Sequence, residues 1–171
     1  MITVVSGTNR SENLSIKVAK AVVELLTTND IEVQLLDLQQ LPIDFVFRND
    51  VFGNPDPGFS AISEQFIGTA DQFVFVIPEY NGSYPGVCKA FIDSIWPEFF
   101  KGKKAALIGL SSGRTGNVRG CDQLTTVLNY LGVTTHPNPV HLHHIEGQLN
   151  ENGDFEEEKS LQRIAQMLAN F

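Results

Sequence analysis

Three short apolar runs set the terms for this chain. Ile2-Thr3-Val4-Val5, Gln72 to Ile77 (QFVFVI) and Ala105 to Leu110 (AALIGL) are each followed by a small polar loop and then by a segment with helical spacing. Runs this short and this apolar suit strands buried on both faces, as in a parallel sheet covered by helices. Ile31 to Leu38 (IEVQLLDL) alternates apolar and polar residues and reads as a strand with one wetter face, nearer an edge. Val133 to His136 reads as a further strand, interrupted by His136-Pro137-Asn138-Pro139, with Val140 to Ile145 as its extension.

Helical patterns fill the gaps. Ser15 to Thr28 places Leu14, Val18, Val22 and Leu25 on one face, and Asn29-Asp30 ends it. A short helix is expected over Ser60 to Gly68 with Ser60 as N-cap. Another opens with Pro85 as its first residue and carries Val87, Ala90, Phe91, Ser94 and Ile95 as its stripe. Val118 to Leu131 aligns Cys121, Leu124, Leu128 and Leu131, with Gly132 as its cap. Glu156 to Phe171 is amphipathic through Leu161, Ile164, Ala165 and Leu168. Strands and helices therefore alternate, which gives a parallel sheet with helices on both faces. Five strands suggest a flavodoxin-like three-layer sandwich with strand order 2-1-3-4-5. A chain of 171 residues is read as one domain, 1–171.

Residues 39–59 are the irregular part, where prolines and glycines forbid a long regular element. Phe45, Phe47, Phe52 and Phe59 are too many aromatics for a solvated linker. The stretch reads as a flap over a flat ligand, as part of a subunit interface, or as a cover for its own core.

A formal net charge of −8 argues against nucleic acid or an anionic membrane as partner. It also requires any anionic cofactor to be held by local donors. Cys88 and Cys121 match no metal or redox spacing and are read as reduced structural thiols. Apolar stretches are too short to span a membrane, and no basic region precedes an apolar one at the start, so a cytoplasmic protein is expected.

In a sheet of this kind, ligands bind beyond the carboxyl ends of the strands. The loops that fall there are SGTNRSENLS (6–15), PEYNGSY (78–84) and SSGRTGN (111–117). In the first, hydroxyl and amide side chains lead directly into a helix start. Free N–H groups and the helix dipole favour an anion there, and Arg10 adds a charge-assisted donor. The plain alternative is a well-capped helix. The loop has neither the spaced glycines of a dinucleotide fingerprint nor a P-loop lysine. The other loops offer exposed backbone amides beside Tyr80 and Tyr84, on which a flat heterocycle could stack. A phosphate at one end and a planar ring at the other describes FMN.

On these residues the chain resembles the NADPH-dependent FMN reductases, the group that includes azo-dye, quinone and chromate reductases. Gly7-Thr8-Asn9-Arg10 with Ser11, Asn13 and Ser15 is similar to the family's FMN-phosphate loop. Pro78-Glu79-Tyr80-Asn81-Gly82-Ser83, followed by Pro85-Gly86, is similar to its flavin-ring loop and is the most specific match. Ser111-Ser112-Gly113-Arg114-Thr115-Gly116 resembles the loop at the far edge of the ring. The resemblance implies that Thr8, Arg10, Asn13 and Ser15 contact phosphate, with Ser6, Asn9 and Leu14 beside them. It implies that Pro78, Glu79, Tyr80, Asn81 and Gly82 hold the isoalloxazine, largely through backbone, and that Ser111, Ser112 and Gly113 close the pocket.

The activity so implied is NAD(P)H-dependent reduction of a small acceptor through bound FMN, whether quinone, azo compound, metal ion or free flavin. The cofactor carries that chemistry, so no catalytic side chain is named. Arg114 is a candidate for the NADPH 2′-phosphate or a solvated loop arginine. Family members are dimers or tetramers, and residues 45–59 with Trp96-Pro97-Glu98-Phe99-Phe100 are the candidate surface for a homodimer or homotetramer. The alternatives are a flavodoxin-like electron carrier that does not itself oxidise NAD(P)H, and an interaction domain whose loops have lost flavin. His136, His141, His143 and His144 lack a carboxylate or thiol at ligand spacing, and no metal site is expected.

Overall fold

The computed structural model describes all residues, Met1–Phe171. Strand β1 (Ile2–Ser6) lies at the centre of a parallel sheet, with β2 (Val33–Asp37) on one side and β3 (Gln72–Pro78) on the other. Beyond β3 comes β4 (Lys104–Ser111), and beyond β4 come β5 (Thr134–Thr135) and β6 (Val140–His143), both paired to β4. The order is β2-β1-β3-β4-β5, as expected, with the fifth position divided between β5 and β6. The break falls at His136-Pro137-Asn138-Pro139, where proline lacks the N–H that a ladder needs.

Period-two alternation sends successive residues of each strand to opposite layers. Val5, Phe73, Phe75 and Ile77 pack against α3 (Pro57–Ser63), α4 (Gly86–Asp93) and α5 (Val118–Tyr130) through Phe59, Phe91, Leu124 and Leu128. Val4, Val74, Val76, Ala106 and Ile108 pack against α1 (Leu14–Thr28) and α6 (Glu158–Ala169) through Val18, Val22, Leu26, Ile164 and Met167. With both faces covered, open surface remains only at the strand ends. Register Ser6↔Val76 and Pro78↔Leu110 brings the ends of β1, β3 and β4 to one rim.

Several boundaries differ from expectation. The helix expected from Ser60 begins at Pro57, because Asp56 is the N-cap and its carboxylate accepts from the Phe59 N–H at 2.9 Å. It continues as a π-turn over Glu64–Gly68. Pro85 is the N-cap of α4 rather than its first residue, and the buried stripe is Cys88, Phe91 and Ile92 rather than Val87 and Ala90. The last helix is shorter at both ends, and β2 loses Ile31, Glu32 and Leu38. Within 39–59 one helical turn, α2 (Phe45–Arg48), forms between the 3-10 turn Leu38–Gln40 and the start of α3. Phe45 and Phe59 stack in the core at 5.1 Å, and Phe100 is also buried, whereas Phe47, Phe52 and Trp96 are exposed.

Candidate cofactor site

The rim is built from loops that the sequence forces into tight turns. After β1 the chain passes directly over β3. The Gly7 N–H donates to the Val76 carbonyl at 2.9 Å, and a Cβ at Gly7 would sit 2.7 Å from Ile77 Cγ2 and 3.1 Å from that carbonyl oxygen. Only glycine allows this approach. The chain then turns into α1, where Asn13 is the N-cap. Its Oδ1 accepts from the Ile16 N–H at 2.9 Å, and its Nδ2 donates to the Arg10 carbonyl at 2.7 Å. The cap leaves the Leu14 and Ser15 N–H groups without a hydrogen bond.

After β3, Asn81 (φ 54°) and Gly82 (φ 75°) are both left-handed. Tyr80 and Ser83 exchange hydrogen bonds of 2.9 and 3.1 Å around them. Asn-Gly is the pair that tolerates two successive positive φ values. The Asn81 and Gly82 N–H groups are unpaired. After β4, the Ser111 hydroxyl accepts from the Gly116 N–H at 2.8 Å and donates to the Gly113 carbonyl at 2.9 Å, closing that loop on itself.

Asn117 joins the last two loops. It is buried in the left-handed region (φ 58°), and its Nδ2 donates to the carbonyls of Ile77 at 3.1 Å and Pro78 at 3.0 Å. Its Oδ1 caps α5 by accepting from the Gly120 N–H at 3.2 Å. A second tie runs from Thr115, whose hydroxyl donates to Glu79 Oε2. The segment after β6 closes the fourth side: His144 N–H donates to the Gly113 carbonyl at 2.9 Å, and the Ser112 hydroxyl donates to Glu146 Oε1.

These loops enclose a cavity of about 250 Å³. Of the sequence candidates, Arg10, Asn13, Leu14, Ser15, Pro78, Glu79, Tyr80, Ser111 and Ser112 line it. Ser6, Thr8, Asn9, Asn81, Gly82 and Gly113 lie outside its lining. Thr8 is fully buried, with its hydroxyl 2.6 Å from Tyr80 OH and accepting from the Arg10 N–H at 3.3 Å. Tyr84 packs against the core beneath α4 instead of offering a face, and burial pushes its phenol up to about 12. Residues 39–59 contribute nothing to the lining.

Sequence reasoning gave no role to Asn117, Ile145 or Glu146. An asparagine directly before a helical pattern was the available signal for Asn117. Nothing local marks Ile145 and Glu146, which reach the rim only because β6 pairs with β4. No group of three or more His, Cys, Asp and Glu side chains is placed to hold a metal ion.

Arg10 is the sole cation of the lining, which also carries Glu12, Glu79 and Glu146. Two buried hydroxyls lack any partner, Ser6 Oγ and Ser15 Oγ. A buried hydroxyl without a partner costs roughly 1–3 kcal/mol. At the first turn of α1, beside unpaired N–H groups and Arg10, Ser15 Oγ is the donor a phosphate ester would satisfy. Strain is concentrated here too: Glu12, Asn81, Asn117 and His144 are four of the five non-glycine residues with positive φ. The residues present fit FMN at its phosphate end.

A doubly wound parallel sheet with an anion-ready helix start and a turn-lined cavity at its carboxyl rim defines a flavodoxin-like protein. The family model for NADPH-dependent FMN reductase matches residues 1–147. An NAD(P)H-dependent FMN reductase of Pseudomonas aeruginosa is 31% identical over 171 residues, covering 96% of this chain and 89% of its own. A 2-hydroxy-1,4-benzoquinone reductase of Burkholderia sp is 30% identical over 162 residues, covering 90% of this chain and 84% of its own. Among solved structures, the flavoenzyme NAD(P)H:(acceptor) oxidoreductase FerB of Paracoccus denitrificans superposes with a TM-score of 0.79 at 25% identity, over 99% of this chain and 93% of its own. The chain belongs to the NADPH-dependent FMN reductase family. It is an oxidoreductase with FMN as cofactor and NAD(P)H as reductant. No helix is long and apolar enough to cross a membrane.

Proposed function

We propose that residues 1–171 act as one domain, a cytoplasmic NAD(P)H-dependent FMN reductase that delivers reducing equivalents to a small quinone-type acceptor. The observation that carries the cofactor assignment is the buried, unpartnered Ser15 hydroxyl in the first turn of α1. Ser15 Oγ, the Leu14 and Ser15 N–H groups and Arg10 hold the phosphate. Pro78 to Gly82 hold the ring, with the free Asn81 and Gly82 N–H groups as donors to its polar edge. Ser111, Ser112 and Gly113 close the far side.

Bound FMN supplies the chemistry of taking a hydride equivalent from NAD(P)H and returning electrons to an acceptor. The protein's part is to bind, orient and provide N–H dipoles where negative charge builds up. No side chain of the cavity is needed as nucleophile or general base. The quinone assignment is supported by the benzoquinone reductase among the relatives.

The test is a steady-state screen of the purified yellow protein with NADPH and NADH against a benzoquinone, an azo dye, ferric ion and free flavin. A quinone is expected to give the highest kcat/KM. A higher value for any other class would overturn the acceptor assignment. A bound flavin that neither nucleotide bleaches would remove the reductase reading altogether.

A further inference from the structure

We propose that Tyr80, which stands in the loop assigned to the flavin ring, is a positioning residue for the opposite end of the cofactor: it holds the Arg10 guanidinium for the phosphate. The inference rests on the reading of Arg10 as a phosphate ligand.

The Arg10 Cζ lies 3.7 Å from the Tyr80 ring centroid, so the guanidinium is stacked on the ring face. No other side chain holds it. Arg10 belongs to no ion pair, and none of its side-chain N–H groups has an acceptor in the protein. An exposed arginine otherwise samples many rotamers, and that freedom is lost on binding an anion. Stacking removes it beforehand while leaving every N–H donor available.

The ring is itself fixed at both ends. Its hydroxyl lies 2.6 Å from the hydroxyl of the buried Thr8, two residues before Arg10. Its backbone is clamped by the reciprocal Tyr80–Ser83 bonds around Asn81-Gly82. Rigidity therefore passes from the turn after β3, through the phenol, to a guanidinium on the loop after β1. Arg10 covers one face of the ring, so that face is not available to the flavin.

The full chain, freed of flavin, is titrated with FMN and with riboflavin, which lacks only the phosphate. Tyr80→Leu is expected to lower FMN affinity roughly tenfold more than riboflavin affinity, since the stack serves only the charged end. Tyr80→Phe keeps the ring face and is expected to retain most of the FMN affinity. Combined with Arg10→Ala, the leucine substitution should cost nothing further, because both changes remove one device.

Equal losses for FMN and riboflavin in Tyr80→Leu would make Tyr80 a ring contact and overturn the proposal, as would additive losses in the double variant. Should Tyr80→Leu fail to fold, Tyr80→Met, which keeps bulk but offers no ring face, gives the same reading. If Arg10→Ala leaves the FMN-to-riboflavin preference intact, the phosphate role of Arg10 fails first. If Arg10→Ala abolishes that preference and Tyr80→Leu does not touch it, the positioning role alone is refuted.

Discussion

Ser15 is a residue whose chemistry opposes stability and, in the proposed phosphate site, would serve binding. Its hydroxyl is buried and unpartnered in the flavin-free chain. Ser15→Ala removes that unpaired group, so the flavin-free variant should melt no lower than the parent. A gain of about 1 kcal/mol would raise Tm by roughly 2–4 °C at this size. The same variant should bind FMN more weakly, and differential scanning fluorimetry with a flavin titration reads both effects. Arg10→Ala should weaken FMN by about 1.5–3 kcal/mol, the range of a charged hydrogen bond, with little change in Tm because the exposed side chain makes no hydrogen bond or ion pair within the protein. The thiols behave oppositely. Cys88 and Cys121 are buried, and burial pushes each up to about 12, so the thiolate is scarce at neutral pH. A disulfide reagent at pH 8 should titrate no thiol in the native chain and both after unfolding. Residue types at the rim were legible in the sequence because they are the types an anion site would need. Their division of labour was not, since Thr8 turns inward to Tyr80 only once β1 and β3 are paired.

Among the elements, the sequence carried the long periodic segments and lost the ends. Strands β1, β3 and β4 and helices α1 and α5 fall within a residue or two of their expected limits, because apolar runs and stripes are local signals. Alternation of strand and helix then leaves little choice of topology. The short helices went astray where a tertiary contact decides. Asp56 starts α3 ahead of Ser60, and α2 exists because Phe45 needs the Phe59 ring. Asn117 belongs to this scale too, since one side chain ties the end of β3 to the start of α5. Asn117→Ala should cost about 2–4 kcal/mol, combining unpaired buried carbonyls with a lost cap. Urea unfolding measures it. Asn117→Gly suits the left-handed backbone yet supplies no amide, so it should recover only the conformational part of the loss.

At the scale of the whole molecule, one apolar groove lies away from the cofactor rim. A groove of about 540 Å³ runs between α4 and α5, lined by Ile92, Ile95, Val127 and Leu131, with Phe52 (73% exposed) and Tyr130 (91% exposed) at its rim. We propose this groove, with Phe52 of the 45–59 stretch, as the surface that a homodimer would bury. Phe52→Asp should shift sedimentation velocity toward the monomer without loss of FMN. One edge of the sheet closes off another route to association. Next to β4 the outer position offers two residues of β5, then the Pro137–Pro139 break, then four residues of β6. An incoming strand from a neighbour finds no continuous ladder to extend. Along that edge the buried β-branched and aromatic runs of β3 and β4 are therefore shielded from the strand addition on which amyloid grows.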